Sequence, residues 1–213
     1  MQVLKFGGTS VANAEAIQQV VEIVSRSVDR DRTILVVSAI RGCTDALIRI
    51  GNLASQRDEA YKEVIDDLQK QQHQIIKDLL PVEKHEESLE TCDSLFNSLR
   101  SIAQGVFLLG ELSPTSLDAI QGFGEQWSSR IIATKLASIG IATKWVDSRK
   151  IIRTISKGEK TAVDVQKTYS RVNEMIESNP ITQLFVMPGV IASDKQGRTT
   201  TLGRGGSDYS ASL

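Results

Sequence analysis

Cysteine and histidine are scarce in this chain: its 213 residues include two of each. Cys43 and Cys92 lie far apart and form no C-x-x-C. That excludes a disulfide framework and a paired-cysteine zinc site. Both read as core thiols, and a reduced, cytoplasmic setting is the expectation. His73 and His85 sit in polar helical sequence with no partner at ligand spacing, so they read as surface residues rather than metal ligands. Excess charge of either sign is also lacking. The 25 Lys+Arg against 26 Asp+Glu leave a net charge of −1, which gives nucleic acid or an anionic membrane no hold. No apolar run approaches the ~18 residues that a membrane helix needs. Met1 leads straight into Val3-Leu4-Lys5-Phe6 with no signal-peptide pattern. Two nucleotide fingerprints are missing as well, G-x-x-x-x-G-K-[ST] and G-x-G-x-x-G. Without the second, a nicotinamide dehydrogenase is a poor reading of this segment.

What is present fits an α/β protein with a mainly parallel sheet. The 40% hydrophobic content is enough for one large domain with a core, or two small ones. Val3 to Phe6 reads as a strand running into Gly7-Gly8, and Ile17, Val20, Val21, Val24 and Val28 recur at helical spacing. Thr33-Ile34-Leu35-Val36-Val37-Ser38 is an unbroken run that suits a strand buried on both faces. Together they form a βαβ unit. A helix carrying Ala46, Leu47, Ile50 and Leu53 follows a loop over 39–42. Residues 58–110 read as a helical insertion broken at Pro81, a hairpin packed on itself and on the sheet edge. Ser113-Pro114 starts a further helix. The sequence predicts an interruption at Gly122-Phe123-Gly124-Glu125, then resumption through Trp127, Ile131, Ile132 and Leu136 to a cap at Gly140. Strands are expected over 142–147 and 184–187, a helix over about 163–177, and a hairpin turn at Asp194-Lys195-Gln196-Gly197.

The chemistry gathers in two glycine runs. Gly203-Arg204-Gly205-Gly206-Ser207-Asp208-Tyr209-Ser210 combines bare backbone N–H groups, a planar cation and a carboxylate. Ser207 can hydrogen-bond or cap a helix there. Lys5-Phe6-Gly7-Gly8-Thr9-Ser10 sets a strand-end lysine before two glycines and two hydroxyls. Such a lysine can reach over the loop and offset charge on a transferring phosphoryl group. The same glycines equally suit a turn needed for close strand-to-helix packing. Glu125 is either a solvated acid or an acceptor for a substrate ammonium. Thr44 is either a helix cap or a carboxylate ligand. Ser38 ends a buried strand, where open α/β sheets bind ligands.

Taken together, these motifs resemble the aspartokinases of the amino-acid kinase superfamily. The likeness runs through Lys5-Phe6-Gly7-Gly8-Thr9-Ser10-Val11, Val37-Ser38-Ala39 to Thr44, Gly124-Glu125, Asp147-Ser148-Arg149 to Arg153-Thr154, and Gly197-Arg198-Thr199-Thr200-Thr201-Leu202-Gly203-Arg204-Gly205-Gly206-Ser207-Asp208-Tyr209. It covers most of the chain outside 58–110, and the opening looks most like the enzymes that fuse aspartokinase to homoserine dehydrogenase. The resemblance implies a three-layer α/β/α sandwich and ATP-dependent phosphorylation of the L-aspartate side-chain carboxylate, the first step towards lysine, threonine and methionine. It implies that Lys5 and Asp208 are catalytic, with Asp208 organising the centre through Lys5 or the magnesium. Lys5, Gly7, Gly8 and Ser38 would face the ATP phosphates. Thr44, Glu125, Arg204 and Ser207 would hold aspartate. Magnesium would arrive with ATP rather than through a protein ligand set, and NADP would matter only if a dehydrogenase domain were present. It also implies a homo-oligomeric parent.

The final helix begins only a few residues before Leu213, and so short a terminal helix is marginal. The expectation is therefore that residues 1–213 form the N-terminal, substrate-binding portion of an aspartokinase domain. The nucleotide-binding half, ACT domains and any dehydrogenase would then lie elsewhere. Little kinase activity and no threonine or lysine feedback site are expected of this chain alone. The alternatives are another amino-acid kinase, or a non-catalytic anion-binding module of the same fold.

Overall fold

The computed structural model describes residues 1–157 and 160–213. In chain order, β1 (Gln2–Phe6), α1 (Ala14–Val28) and β2 (Thr33–Val37) are followed by α2 (Cys43–Ser55), α3 (Tyr61–Leu79), α4 (His85–Leu109) and α5 (Pro114–Ser138). The second half holds β3 (Thr143–Trp145), α6 (Ser148–Ile151), β4 (Thr154–Lys157), β5 (Lys160–Val163), α7 (Val165–Glu177), β6 (Leu184–Pro188), β7 (Ile191–Ser193), β8 (Thr199–Thr201) and α8 (Gly206–Ser212). No described helix is long and apolar enough to cross a membrane.

The central sheet has the order β1-β2-β6-β3, and every neighbouring pair is parallel. The continuous apolar runs make the two central strands: β2 and β6 are buried at every position, as a sheet covered on both faces requires. Successive residues then serve opposite cores. Leu35, Val37, Leu184 and Val186 join α1 to α5 in the larger core. Ile34, Val36, Phe185 and Met187 join Val146, Ile151, Ile152 and Met175 in the smaller one. The result is the three-layer α/β/α arrangement.

Local signals set the helix starts. The Asn13 side chain accepts from the Ala16 N–H at 2.8 Å to open α1. Ser113 accepts from the Ser116 N–H at 3.1 Å ahead of Pro114 in α5. Both are ordinary N-caps. Gly140 takes the left-handed conformation just past α5 (φ 91°). The insertion is a pair of helices, α3 and α4, with Leu80-Pro81 between them and Ile65, Ile76, Phe96 and Leu99 buried in the larger core. It packs mainly on α1, α2 and α5, one layer out from the sheet, rather than on the sheet edge as expected. His73 and His85 fasten this pair internally. His73 Nε2 lies 2.6 Å from Asp93 Oδ1, and His85 Nε2 lies 3.0 Å from the Leu80 carbonyl oxygen. Cys43 and Cys92 are buried, and burial pushes both thiols up to about 12.

One expectation fails outright. Helix α5 runs unbroken through Gly122-Phe123-Gly124-Glu125. The two glycines mark close packing, not a kink. A Cβ on Gly124 would lie 2.9 Å from Ala39 Cβ, and one on Gly122 would lie 3.2 Å from Ile191 Cγ2. Glycine costs a helix about 1 kcal/mol relative to alanine, and the close approach of the loop after β2 offsets it. The antiparallel pairing of β4 with β5 and the short α6 carry no strong sequence signal.

Candidate active site

The C-terminal ends of β1, β2 and β6 point towards one end of the sheet, and the glycine loops meet there. Lys5 sits next to the end of β1. Helix α8 brings Asp208 onto β1 and β2, so that Lys5 Nζ lies 2.8 Å from Asp208 Oδ1. Gly7 is beside this pair, since a Cβ built there would be 3.7 Å from Lys5 Nζ. Gly8 must be glycine for a different reason: its Cβ would stand 2.9 Å from the Ala39 carbonyl oxygen. The loops after β1 and β2 therefore touch backbone to backbone, a close approach that only a residue without a side chain allows.

Ser38 is the next residue after β2. Its Oγ donates to Ser207 Oγ at 3.0 Å, and its carbonyl accepts from Ser128 Oγ at 2.9 Å. Ser207 does not cap α8; Gly205 holds that position at φ 78°. Thr44 is likewise no cap, since Gly42 precedes α2 in the left-handed region. Thr44 is exposed in the first turn.

An open cavity of about 620 Å³ lies in front of these elements. Gly8, Ser38, Thr44, Glu125 and Arg204 all line it. Lys5, Gly7, Ser207 and Asp208 are outside its lining: Ser207 is bonded to the lining residue Ser38, Gly7 adjoins the lining residue Gly8, and the Lys5–Asp208 pair stands beside Gly7. Every site residue expected from the sequence thus falls in one neighbourhood. Arg204 is exposed between two left-handed glycines, Gly203 and Gly205, and makes no ion pair among the described residues.

Glu125 is the unusual acid of the site. It is only 4% exposed, and the Val190 N–H donates to its carboxylate. Burial pushes its pKa up to about 8, against the opposing effect of nearby backbone N–H groups and the Lys5 charge. A buried carboxyl facing a cavity is suited to receive a cationic group, which would draw it back to the ionised form.

Two features lie within the quoted motifs but carry no role assigned from sequence. Arg41 lines the same cavity, exposed and next to Gly8. An arginine before a glycine in the loop between Ser38 and Thr44 was the available signal. Behind the cavity, Arg149 binds Asp147 (2.7 Å), Gln126 Oε1 (3.1 Å) and Thr199 Oγ1 (3.4 Å). Burial alone would raise the Asp147 carboxyl, but the Arg149 guanidinium holds it below the usual carboxylate range. This cluster ties α5 to the β7–β8 hairpin that delivers Arg204.

The fold and site define an α/β protein of the amino acid kinase type, with its glycine loops and ionic pair at one end of a parallel sheet. The amino acid kinase family matches residues 1–213, and the chain belongs to that family. It is 28% identical over 210 residues to bifunctional aspartokinase/homoserine dehydrogenase 1 of Arabidopsis thaliana, covering 98% of this chain and 23% of that protein. It is 30% identical over 211 residues to lysine-sensitive aspartokinase 3 of Escherichia coli, covering 99% of this chain and 45% of that protein. Fused enzymes and aspartokinases named without a dehydrogenase both occur among the relatives. The crystal structure of Escherichia coli aspartokinase III with lysine and aspartate superposes with a TM-score of 0.87 at 28% identity. The same protein with aspartate and ADP gives 0.84, and in both cases 99% of this chain matches 45% of that one. The chain thus spans under half the length of these relatives.

Proposed function

We propose that this chain carries the acceptor-binding and phosphoryl-facing portion of an aspartokinase, which phosphorylates L-aspartate with ATP to give 4-phospho-L-aspartate. The observation that carries this reading is the Lys5–Asp208 contact beside a cavity that holds both a buried acid, Glu125, and an exposed cation, Arg204. That cavity offers complementary groups to an amino acid: Arg204 for a carboxylate, with Thr44 on the same cavity lining, and Glu125, which an ammonium would draw into its ionised form. Arg41, beside Gly8, adds positive charge on the phosphate side.

An oxygen of the substrate's side-chain carboxylate attacks the γ-phosphorus, the bond to the β,γ-bridging oxygen breaks, and ADP leaves. The attacking carboxylate is already ionised at neutral pH, so no general base is needed. Positioning and charge compensation do the work. Lys5 offsets charge developing on the transferred group, and Asp208 holds the lysine at the mouth of the glycine loop. Ser38 supports that loop and fixes Ser207. Among the described residues no group of three or more His, Cys, Asp or Glu could hold a metal ion. Magnesium would come with the ATP phosphates and would supply further charge neutralisation there, with Asp208, held beside Lys5, as a carboxylate that could steady it. A cytoplasmic setting fits the two free thiols. A homo-oligomeric parent belongs to the same proposal, and NADP enters only if that parent carries a dehydrogenase domain.

Calorimetric titration of L-aspartate against L-glutamate, with hydroxylamine trapping of the acyl phosphate in the intact protein, tests the reading. Aspartate-selective binding and ATP-dependent hydroxamate are expected. Equal affinity for both amino acids points to another amino-acid kinase, and phosphate binding without product points to a non-catalytic module. Either result overturns the proposal.

A further inference from the structure

A second, smaller cavity of about 170 Å³ lies between the helical insertion, α5 and the edge strand β3. Its wall is apolar at Ile76 and Leu95 and carries the hydroxyl of Thr91. The chain's two tryptophans, Trp127 and Trp145, both line it. So does Arg130, whose guanidinium carbon stands 3.5 Å from the centre of the Trp145 ring. Arg130 makes no ion pair among the described residues, and its Nε is buried with no hydrogen-bond partner. The indole N–H of Trp127, a residue 1% exposed, also lacks an acceptor. The nearby carboxylates are engaged elsewhere: Glu87 at the rim with Lys84 at 3.3 Å, and Asp147 with Arg149 at 2.7 Å.

A half-buried arginine without an acceptor is costly unless something supplies one. Stacking on Trp145 satisfies the flat face of the guanidinium but not its N–H edge. We infer that this cavity binds a small carboxylate with a short branched or ring-shaped apolar body, its carboxylate on the Arg130 fork and its body against Ile76 and Leu95. Size sets the class. A cavity of roughly 150 Å³ accommodates benzene, so a ligand of about six to nine non-hydrogen atoms fits here. The site is separate from the cavity that holds Glu125 and Arg204, and it stands whether or not the kinase reading does.

Because both tryptophans line this cavity, intrinsic fluorescence of the chain reports on it directly. Isovalerate and cyclopentanecarboxylate are expected to give a saturable change, and neutral isovaleramide to bind at least tenfold more weakly. Arg130→Met should weaken the carboxylates at least tenfold and abolish their advantage over the amide, with Arg130→Lys intermediate. Ala133 on α5 also lines the cavity, and Ala133→Leu, which adds bulk there and leaves Arg130 in place, should block binding with an unchanged circular dichroism spectrum. That variant keeps the test decisive if Arg130→Met does not fold. No saturable response up to about 10 mM, ten times a millimolar Kd, overturns the inference. So does an equal response to acid and amide, or undiminished binding in Ala133→Leu.

Discussion

Lys5 Nζ and Asp208 Oδ1 are 2.8 Å apart, although they come from opposite ends of the chain. The Asp208 side chain is 69% exposed and that of Lys5 24% exposed, so the contact adds little to stability; such surface pairs are worth about 0–1 kcal/mol. Its value is positional. Lys5→Met is expected to lower kcat in the intact protein by about 10²–10³, the cost of removing one charge-stabilising donor, while leaving the thermal midpoint nearly unchanged. A large fall in midpoint with kcat preserved would make the pair structural.

Arg204 makes no ion pair among the described residues, so its truncation tests recognition directly. Arg204→Ala should weaken aspartate binding by about 2–5 kcal/mol, the range for removing one member of a desolvated charge pair. The ATP KM should stay near its original value. An unchanged KM for aspartate would remove Arg204 from the acceptor site.

Glu125 makes stability and binding depend on pH in opposite senses. Its ordinary value of 4.5 is pushed up to about 8 in the folded chain, so the folded state holds a proton that the unfolded state releases. Stability from this group is complete below about 4.5 and falls as pH rises towards about 8. In Glu125→Gln that decline should disappear, as read by urea midpoints at pH 5, 6, 7 and 8. If an ammonium docks on Glu125, aspartate binding at pH 7 must release protons. Calorimetry in buffers of different ionisation enthalpy measures this, and a result independent of buffer would rule the contact out.

Gly124 separates close packing from a helix break. Alanine is the better helix former by about 1 kcal/mol, yet its Cβ would meet Ala39 Cβ at 2.9 Å and Cys43 Sγ at 3.2 Å. Gly124→Ala is expected to destabilise the chain by about 1–3 kcal/mol through overpacking, measured by urea denaturation. A stabilised variant would show that the loop after β2 can move away.

Much of this was legible in the sequence because it rests on local rules. Unbroken apolar runs fix β2 and β6, Ser113 and Pro114 fix the start of α5, and the glycine runs with Lys5 and Arg204 mark the site. Gly122 and Gly124 misled because a glycine that breaks a helix and one that lets it approach a neighbour look alike until the neighbour is in place.

By itself the sequence determined the parallel α/β pattern, the elements that build it and the residue types available for phosphate and amino-acid binding, since propensity, periodicity and backbone freedom act within a few residues. Only the tertiary structure decided that Lys5 meets Asp208, that Glu125 is buried enough for its pKa to rise, and that the buried Nε of Arg130 has no acceptor among the described residues. Burial and charge pairing depend on which distant segments share a volume, and that is settled by packing both faces of one sheet.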